Sequence, residues 1–523
     1  MTNEAAKIES HDNRKRLAGG AGIVFLGRLG AVIEAIAIIA FTWLYGVTNF
    51  GLYALFWSFI IIATPLAQTA MPLTLQRFVP RRNKREAHNA IGFALKWSFF
   101  IASSIALLVS INADTLALRM EAKPEELEHM TLLIRTFVWT LPFWVLVEVA
   151  AAAIRSLRIF GPEIRVRIVY EQGFRLLFGL SFAFLGMQTY GLFLAHFLSV
   201  FFAAMFALRL LSKHLVFKKL IMAPMTGELP KKMLKYARPI TPAWWIKSLY
   251  SELPVLFLNY FLPGARGLDA SAFYKVARQI TSVLQMVGLT FEYVMAPFAA
   301  EKVGKMDHKG LQDMYSFAVR LSTVIALPFS AALILASHDI LSIMKPEFIG
   351  IMTAIMVLSL GRTVETMAGP SSAIVDMLGH RYLPLTNFLI GLLVMAGLSA
   401  YLIPIYEVTG GAIAAAIALN VTSLLALGES VLLFKLRPYD RTIIRPLLIS
   451  LLMTLVLGSM AFLRDFFDPP FAFLTALAGL FASLFVIVRY GLTPDDAAAL
   501  GPLTRFSKRH KKAQIAIDNN QKT

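Results

Sequence analysis

The feature that most constrains this chain is a succession of apolar runs, each about 20 residues long and continuous. Short polar gaps separate them. In hydrocarbon every backbone N–H and C=O needs a partner within the protein, which leaves only helices and closed barrels. Barrel strands would be about 10 residues long and would alternate apolar with polar. These runs do neither, so they read as membrane-spanning helices. Composition agrees: 57% of the residues are hydrophobic and 16% charged, where a soluble domain carries about a quarter charged.

We place 14 spans, near 18–44, 53–76, 89–112, 132–154, 166–187, 191–211, 240–262, 273–299, 316–336, 350–372, 384–405, 411–434, 446–463 and 472–490. The net charge of +18 gathers in alternate gaps, as expected of cytoplasmic loops, and leaves no compact basic domain to read nucleic acid. Both termini are then cytoplasmic. The expected organisation is a cytoplasmic tail (1–17), an N-lobe of six helices (18–211) and a basic inter-lobe loop (212–239). A C-lobe of six helices (240–434), an extra helical pair (446–490) and a cytoplasmic tail (491–523) follow. The inter-lobe loop, with Lys213, Lys218, Lys219, Lys231, Lys232 and Lys235, reads as a segment lying on an anionic leaflet. Cysteine is absent, which excludes disulfides and thiolate metal sites. The first apolar run, from Leu17 to Leu44, is too long for a signal-peptide core and reads as a retained span.

The two halves share landmarks. Phe50-Gly51-Leu52-Tyr53 opens the second span and Ala272-Phe273-Tyr274 the eighth; Tyr190-Gly191 opens the sixth and Gly410-Gly411 the twelfth. An offset of six helices keeps both copies in one orientation, so the repeat is parallel, about an axis along the membrane normal.

Ionisable groups inside spans are the most informative residues, because each costs about 2.5–3.5 kcal/mol at mid-helix on insertion scales. Glu171 with Arg175 and Arg362 with Glu365 have the spacing of local ion pairs. Lys96, Lys275 and Arg320 lie near span ends, within reach of the interface. Arg28, Arg135 and Lys247 lack a carboxylate three or four residues away. Arg28, Lys247, Arg278, Arg135, Arg175 and Arg362 are therefore candidates for a cationic cavity, since guanidinium groups match phosphate oxygens. Glu34, Glu252 and Glu292 are candidates for coupling to an ion. Pro65, Pro72, Pro142, Pro254 and Pro328 mark positions where a helix can bend. No catalytic residue, metal site or cofactor is expected.

With these residues in view, the sequence resembles the multidrug/oligosaccharidyl-lipid/polysaccharide (MOP) exporter superfamily, and within it the Wzx-type polysaccharide flippases. The segments that carry the resemblance are Tyr45-Gly46-Val47-Thr48-Asn49-Phe50-Gly51-Leu52-Tyr53-Ala54-Leu55, Leu75-Gln76-Arg77-Phe78-Val79-Pro80 and Ala153-Ile154-Arg155-Ser156-Leu157-Arg158. Tyr236-Ala237-Arg238-Pro239-Ile240, Ala272-Phe273-Tyr274-Lys275-Val276-Ala277 and Gly410-Gly411-Ala412 also fit. The resemblance covers roughly residues 18–440. Relatives often carry an aspartate late in the seventh helix, where this chain has Glu252 followed by Pro254.

The resemblance implies an all-α membrane protein of two six-helix lobes enclosing a V-shaped central cavity. It implies transfer of a polyprenyl-diphosphate-linked oligosaccharide from the inner to the outer leaflet by alternating access, in a bacterial cytoplasmic (inner) membrane. Partners would be the lipid-linked glycan, membrane lipids and polysaccharide polymerase or assembly proteins. One rival is a drug or small-metabolite exporter of the same fold, which would favour cavity carboxylates over cations. The other is a membrane-embedded glycosyl- or acyltransferase, which needs carboxylates in the first outer loop or a His beside an acid. Residues 46–51 have no carboxylate, and His196 has no acidic neighbour in sequence.

Overall fold

The computed structural model describes residues 30–80, 83–119, 127–157, 159, 165–304, 307–378, 382–460, 470–493 and 496. Helices account for nearly all of them, with no strand among the described residues. In order they are α1 (Gly30–Tyr45), α2 (Val47–Gln68), α3 (Met71–Phe78), α4 (Lys84–Ile111), α5 (Ala113–Arg119), α6 (Leu127–Phe137) and α7 (Thr140–Ser156). A π-helical stretch, Arg165–Gln172, leads into α8 (Gly173–Phe184). Then come α9 (Gln188–Ser212), α10 (Phe217–Ile221), α11 (Glu228–Ala237), α12 (Ile240–Phe261) and α13 (Ala265–Gly304). The rest are α14 (His308–Met344), α15 (Met352–Met367), α16 (Ser371–Leu378), α17 (Leu383–Leu432), α18 (Ile444–Met460) and α19 (Phe471–Val486).

Among the described residues nine helical stretches are long and apolar enough to cross a membrane. One of them, α17, holds two of the expected spans: Glu407 leaves helical geometry at φ 48° and ψ −123°. Beyond that turn a Cβ on Gly410 would lie 2.2 Å from the Leu402 carbonyl oxygen, so glycine permits the close return of the chain. The remaining expected spans fall on α1, on the π stretch with α8, on α12 and on α13. The chain is a multi-pass helical membrane protein.

Two expected spans are interrupted. The second breaks between α2 and α3, where Thr69 and Ala70 take left-handed φ of 46° and 50°. Pro72 sits in the first turn of α3, where its missing N–H leaves no bond unmade. Side chains of α4 satisfy the break: Trp97 Nε1 donates to Thr69 Oγ1 at 3.0 Å and Ser98 Oγ to the Gln68 carbonyl at 3.2 Å. The fourth span breaks between α6 and α7, just ahead of Pro142. Pro254 and Pro328, by contrast, lie inside unbroken helices.

The chain gathers into two compact units, Gly30–Lys275 and the described residues from Val276 onward. The first contains α12, which lies against α2; Ser248 Oγ donates to the Ile61 carbonyl across that contact at 2.8 Å. Its core is aromatic, with Tyr53, Phe137 and Phe193 packed edge to face. The second unit is built around α14, which α15, α18 and α19 surround. Fully buried Tyr315 on α14 bonds Ser371 and Ser430 at 2.7 and 2.8 Å. Large apolar side chains also face outward, among them Phe100, Leu393, Leu455 and Phe481; in lipid that surface needs no covering.

Candidate functional site: a polar core in the first unit

The site is positioned by the start of α2. A Cβ on Gly51 would fall 1.9 Å from the Leu268 carbonyl oxygen, so only glycine lets α2 touch the start of α13. Thr48 Oγ1 donates to Asp269 Oδ1 at 2.6 Å at the same contact. One half-turn beyond Gly51, Tyr53 points into the unit and is almost fully buried.

Tyr53 joins two helices that follow it by more than a hundred residues. Its hydroxyl lies 2.5 Å from His196 Nδ1 on α9, and the buried Arg175 guanidinium on α8 acts on it electrostatically. Tyr53 and His196 share one hydrogen bond through Nδ1, and the ring's other nitrogen is Nε2. That Nε2 is buried with no hydrogen-bond partner. The imidazole ring lies 4.2 Å, centroid to centroid, from Trp57. Arg175 pairs with Glu171 one turn earlier at 3.4 Å, both side chains under a tenth exposed. Glu34 on α1 acts electrostatically on Arg175 and Tyr53, and Lys275 acts on His196. Such a network in a medium of low dielectric rewards full satisfaction and penalises an orphaned polar atom. His196 Nε2 and the Arg175 Nε–H, also without a partner, are unsatisfied polar atoms of this core; the guanidinium N–H can only donate, so a water or an anion would answer it.

On the other side of α2, Glu252 of α12 is 5% exposed and accepts from Ser58 Oγ at 2.7 Å. Pro254 follows it inside the same helix. The carboxylate, the proline and the α2–α12 contact thus share one stretch of chain.

Other candidates from the sequence are distributed elsewhere. Arg28 lies outside the described residues. Lys247 is exposed on α12, whereas Arg278 and Glu292 are partly buried on α13 in the second unit. Arg135 sits apart from the polar core, bonded to Asp114 at 2.6 Å with both side chains about half exposed; that partner lies 21 residues away, beyond the reach of helix spacing. Arg362 pairs with Glu365 at 2.9 Å, the local pairing its spacing allows. Arg320 does not reach outward to the interface. It is 2% exposed, doubly bonded to the buried Asp496 at 2.8 and 2.9 Å and bonded to Asp440 at 3.1 Å. Lys275, likewise expected near the interface, is buried. No group of three His, Asp or Glu side chains among the described residues is arranged to hold a metal ion.

Sequence reasoning passed over His196 and Tyr53 as a pair. The available signal was a lone histidine inside an apolar span, whose partner is 143 positions away.

Comparison with known proteins decides the fold. The chain superposes on lipid II flippase MurJ in an inward closed conformation with a TM-score of 0.67, at 14% identity, over 89% of this chain and 97% of that one. The fold is that of the MOP superfamily transporters. An inward-facing multidrug resistance MATE transporter of that superfamily matches with a TM-score of 0.60 at 16% identity, over 85% and 96% of the two chains. A MOP superfamily transporter from Pyrococcus furiosus, described as having a binding pocket of reversed polarity, matches at 0.58 with 16% identity, over 82% and 96%. Residues 239–402 match the MatE family. No curated protein matches the sequence.

Proposed function

We propose that this MOP-fold protein is a flippase that carries a polyprenyl-diphosphate-linked oligosaccharide from the cytoplasmic to the outer leaflet of a bacterial inner membrane, by alternating access. The observation that carries the reading is the likeness to a lipid flippase over 97% of that chain, together with a helical pair, α18 and α19, beyond the twelfth expected span. Cationic side chains in spans support it: a diphosphate cannot enter hydrocarbon unless fixed charges replace its hydration. Lys247 and Arg278 are the candidates among the described residues, and Arg28 is the candidate in the first span. Glu34 and Glu252 are candidates for coupling to an ion.

The second reading is export of a drug or small metabolite. The MatE match and the buried carboxylates Glu171 and Glu252 favour it. The test is to delete the gene in its host and assay polyprenyl-diphosphate-linked glycan by leaflet. Accumulation on the cytoplasmic face, cleared by wild type and not by Arg28→Ala, upholds the flippase and its cation. Unchanged lipid-linked glycan with altered drug or metabolite efflux upholds the exporter.

A further inference from the structure

A cavity of about 1020 Å³ opens in the first unit among the start of α4, the end of α7 and the segment from His214 to Met222. Its lining carries Lys84, Arg85 and Lys219 together with His88 and His214, and no carboxylate among the described lining residues. The cavity is held open by specific contacts. A Cβ on Gly92 would meet the Leu220 carbonyl oxygen at 2.3 Å, so α4 and α10 touch backbone to backbone. Lys96 Nζ donates to the Ile221 carbonyl at 2.8 Å and also to that of Ala223. His88 Nδ1 donates to the Lys84 carbonyl at 2.5 Å, and its Nε2 accepts from the Val216 N–H at 3.1 Å. Both ring nitrogens are thereby used; His88 builds the wall, leaving Lys84, Arg85 and Lys219 to meet a ligand.

The outer wall shows what kind of ligand. Val216, Phe217, Ile221 and Met222 are 53%, 43%, 58% and 71% exposed, on the same short stretch as Lys218 and Lys219. Apolar side chains left bare beside lysines are the pattern of a segment lying in the headgroup region with its apolar face in the acyl layer. A ligand here meets cations at one end and hydrocarbon at the other. We propose that this cavity binds an anionic membrane phospholipid, its phosphate on Lys84, Arg85 and Lys219 and its acyl chains along Val216 to Met222. The proposal does not depend on what the protein transports.

The test is native mass spectrometry of the purified full chain, titrated with phosphatidylglycerol, phosphatidylcholine or inorganic phosphate. Phosphatidylglycerol is expected to bind in preference to both. The triple variant Lys84→Ala, Arg85→Ala, Lys219→Ala removes only exposed side chains and should weaken phosphatidylglycerol binding about tenfold or more. The charge-matched triple Lys231→Ala, Lys232→Ala, Lys235→Ala, on α11 and outside the cavity, should leave it within about twofold. If the first triple does not accumulate, Lys219→Gln alone carries the test and should lose part of the affinity. Equal losses from the two triples would show a diffuse basic surface and overturn the site. Inorganic phosphate binding as tightly as the lipid, or no preference over phosphatidylcholine, would overturn it equally.

Discussion

Replacing Arg320 by methionine should be among the most costly single changes in the second unit. The guanidinium is 2% exposed and Asp496 fully buried, with two N–H groups of one on the two carboxylate oxygens of the other at 2.8 and 2.9 Å. Methionine fills much of the volume but leaves the Asp496 charge in a dry site. Breaking a buried pair in this way costs about 3–5 kcal/mol. Asp440 adds little, because its side chain is 39% exposed and water can replace the lost partner. For a unit of this size 1 kcal/mol is worth roughly 2–4 °C, so the unfolding midpoint should fall on the order of 10 °C. The assay is thermal unfolding of purified protein in a mild detergent. Adding Asp496→Asn to Arg320→Met should recover most of the loss, since the unpaired charge is then gone. Asp440→Asn alone should cost under about 1 kcal/mol. The reasoning fails if Arg320→Met costs no more than Asp440→Asn, or if the double variant is no better than the single.

Three further outcomes follow from the same geometry. Burial raises the Asp440 pKa, but the Thr442 hydrogen bonds and the Arg320 charge outweigh it and hold the group below its ordinary 3.8. A depressed carboxylate contributes stability that is full above its unfolded value and lost as pH falls through the folded one. The unfolding midpoint should therefore decline on acidification below about pH 4, less steeply in Asp440→Asn; identical slopes would refute the assignment. Gly51→Ala must drive α2 off the Leu268 carbonyl, at about 1–3 kcal/mol, and a variant with wild-type midpoint and transport would contradict the contact. Tyr53→Phe keeps the ring but leaves buried His196 Nδ1 without its partner, at about 1–3 kcal/mol; comparison with Phe56→Leu, a change in the aromatic packing against Phe137 and Phe193, separates this loss from packing, and equal effects would sink it.

What could be read from the sequence was what is local. Run length and loop charge marked the spans, because solvent acts on each segment separately. The Glu171–Arg175 and Arg362–Glu365 pairs were legible because four and three residues bring side chains to one helical face. Tyr53 with His196, Thr48 with Asp269 and Arg320 with Asp496 are separated by 143, 221 and 176 positions. Helical periodicity reports which face of one helix is polar, and it is silent about which other helix meets that face. Arg320 shows the consequence: near a span end it reads as a side chain reaching for water, while the folded chain brings two aspartates to it instead. Gly51 was legible as a landmark shared by the halves, and its reason became visible only with Leu268 against it. The broken second span was half legible, since Pro65 and Pro72 flag a bend without placing it at Thr69 and Ala70.

The most direct test is reconstitution of the purified chain into proteoliposomes holding a fluorescent polyprenyl-diphosphate-linked oligosaccharide, with leaflet read by a membrane-impermeant reagent. A flippase exposes the inner pool at a rate that depends on protein and falls in Lys247→Ala and Arg278→Ala. Exposure no faster than in protein-free vesicles, under an ion gradient and a membrane potential alike, would contradict the proposed function.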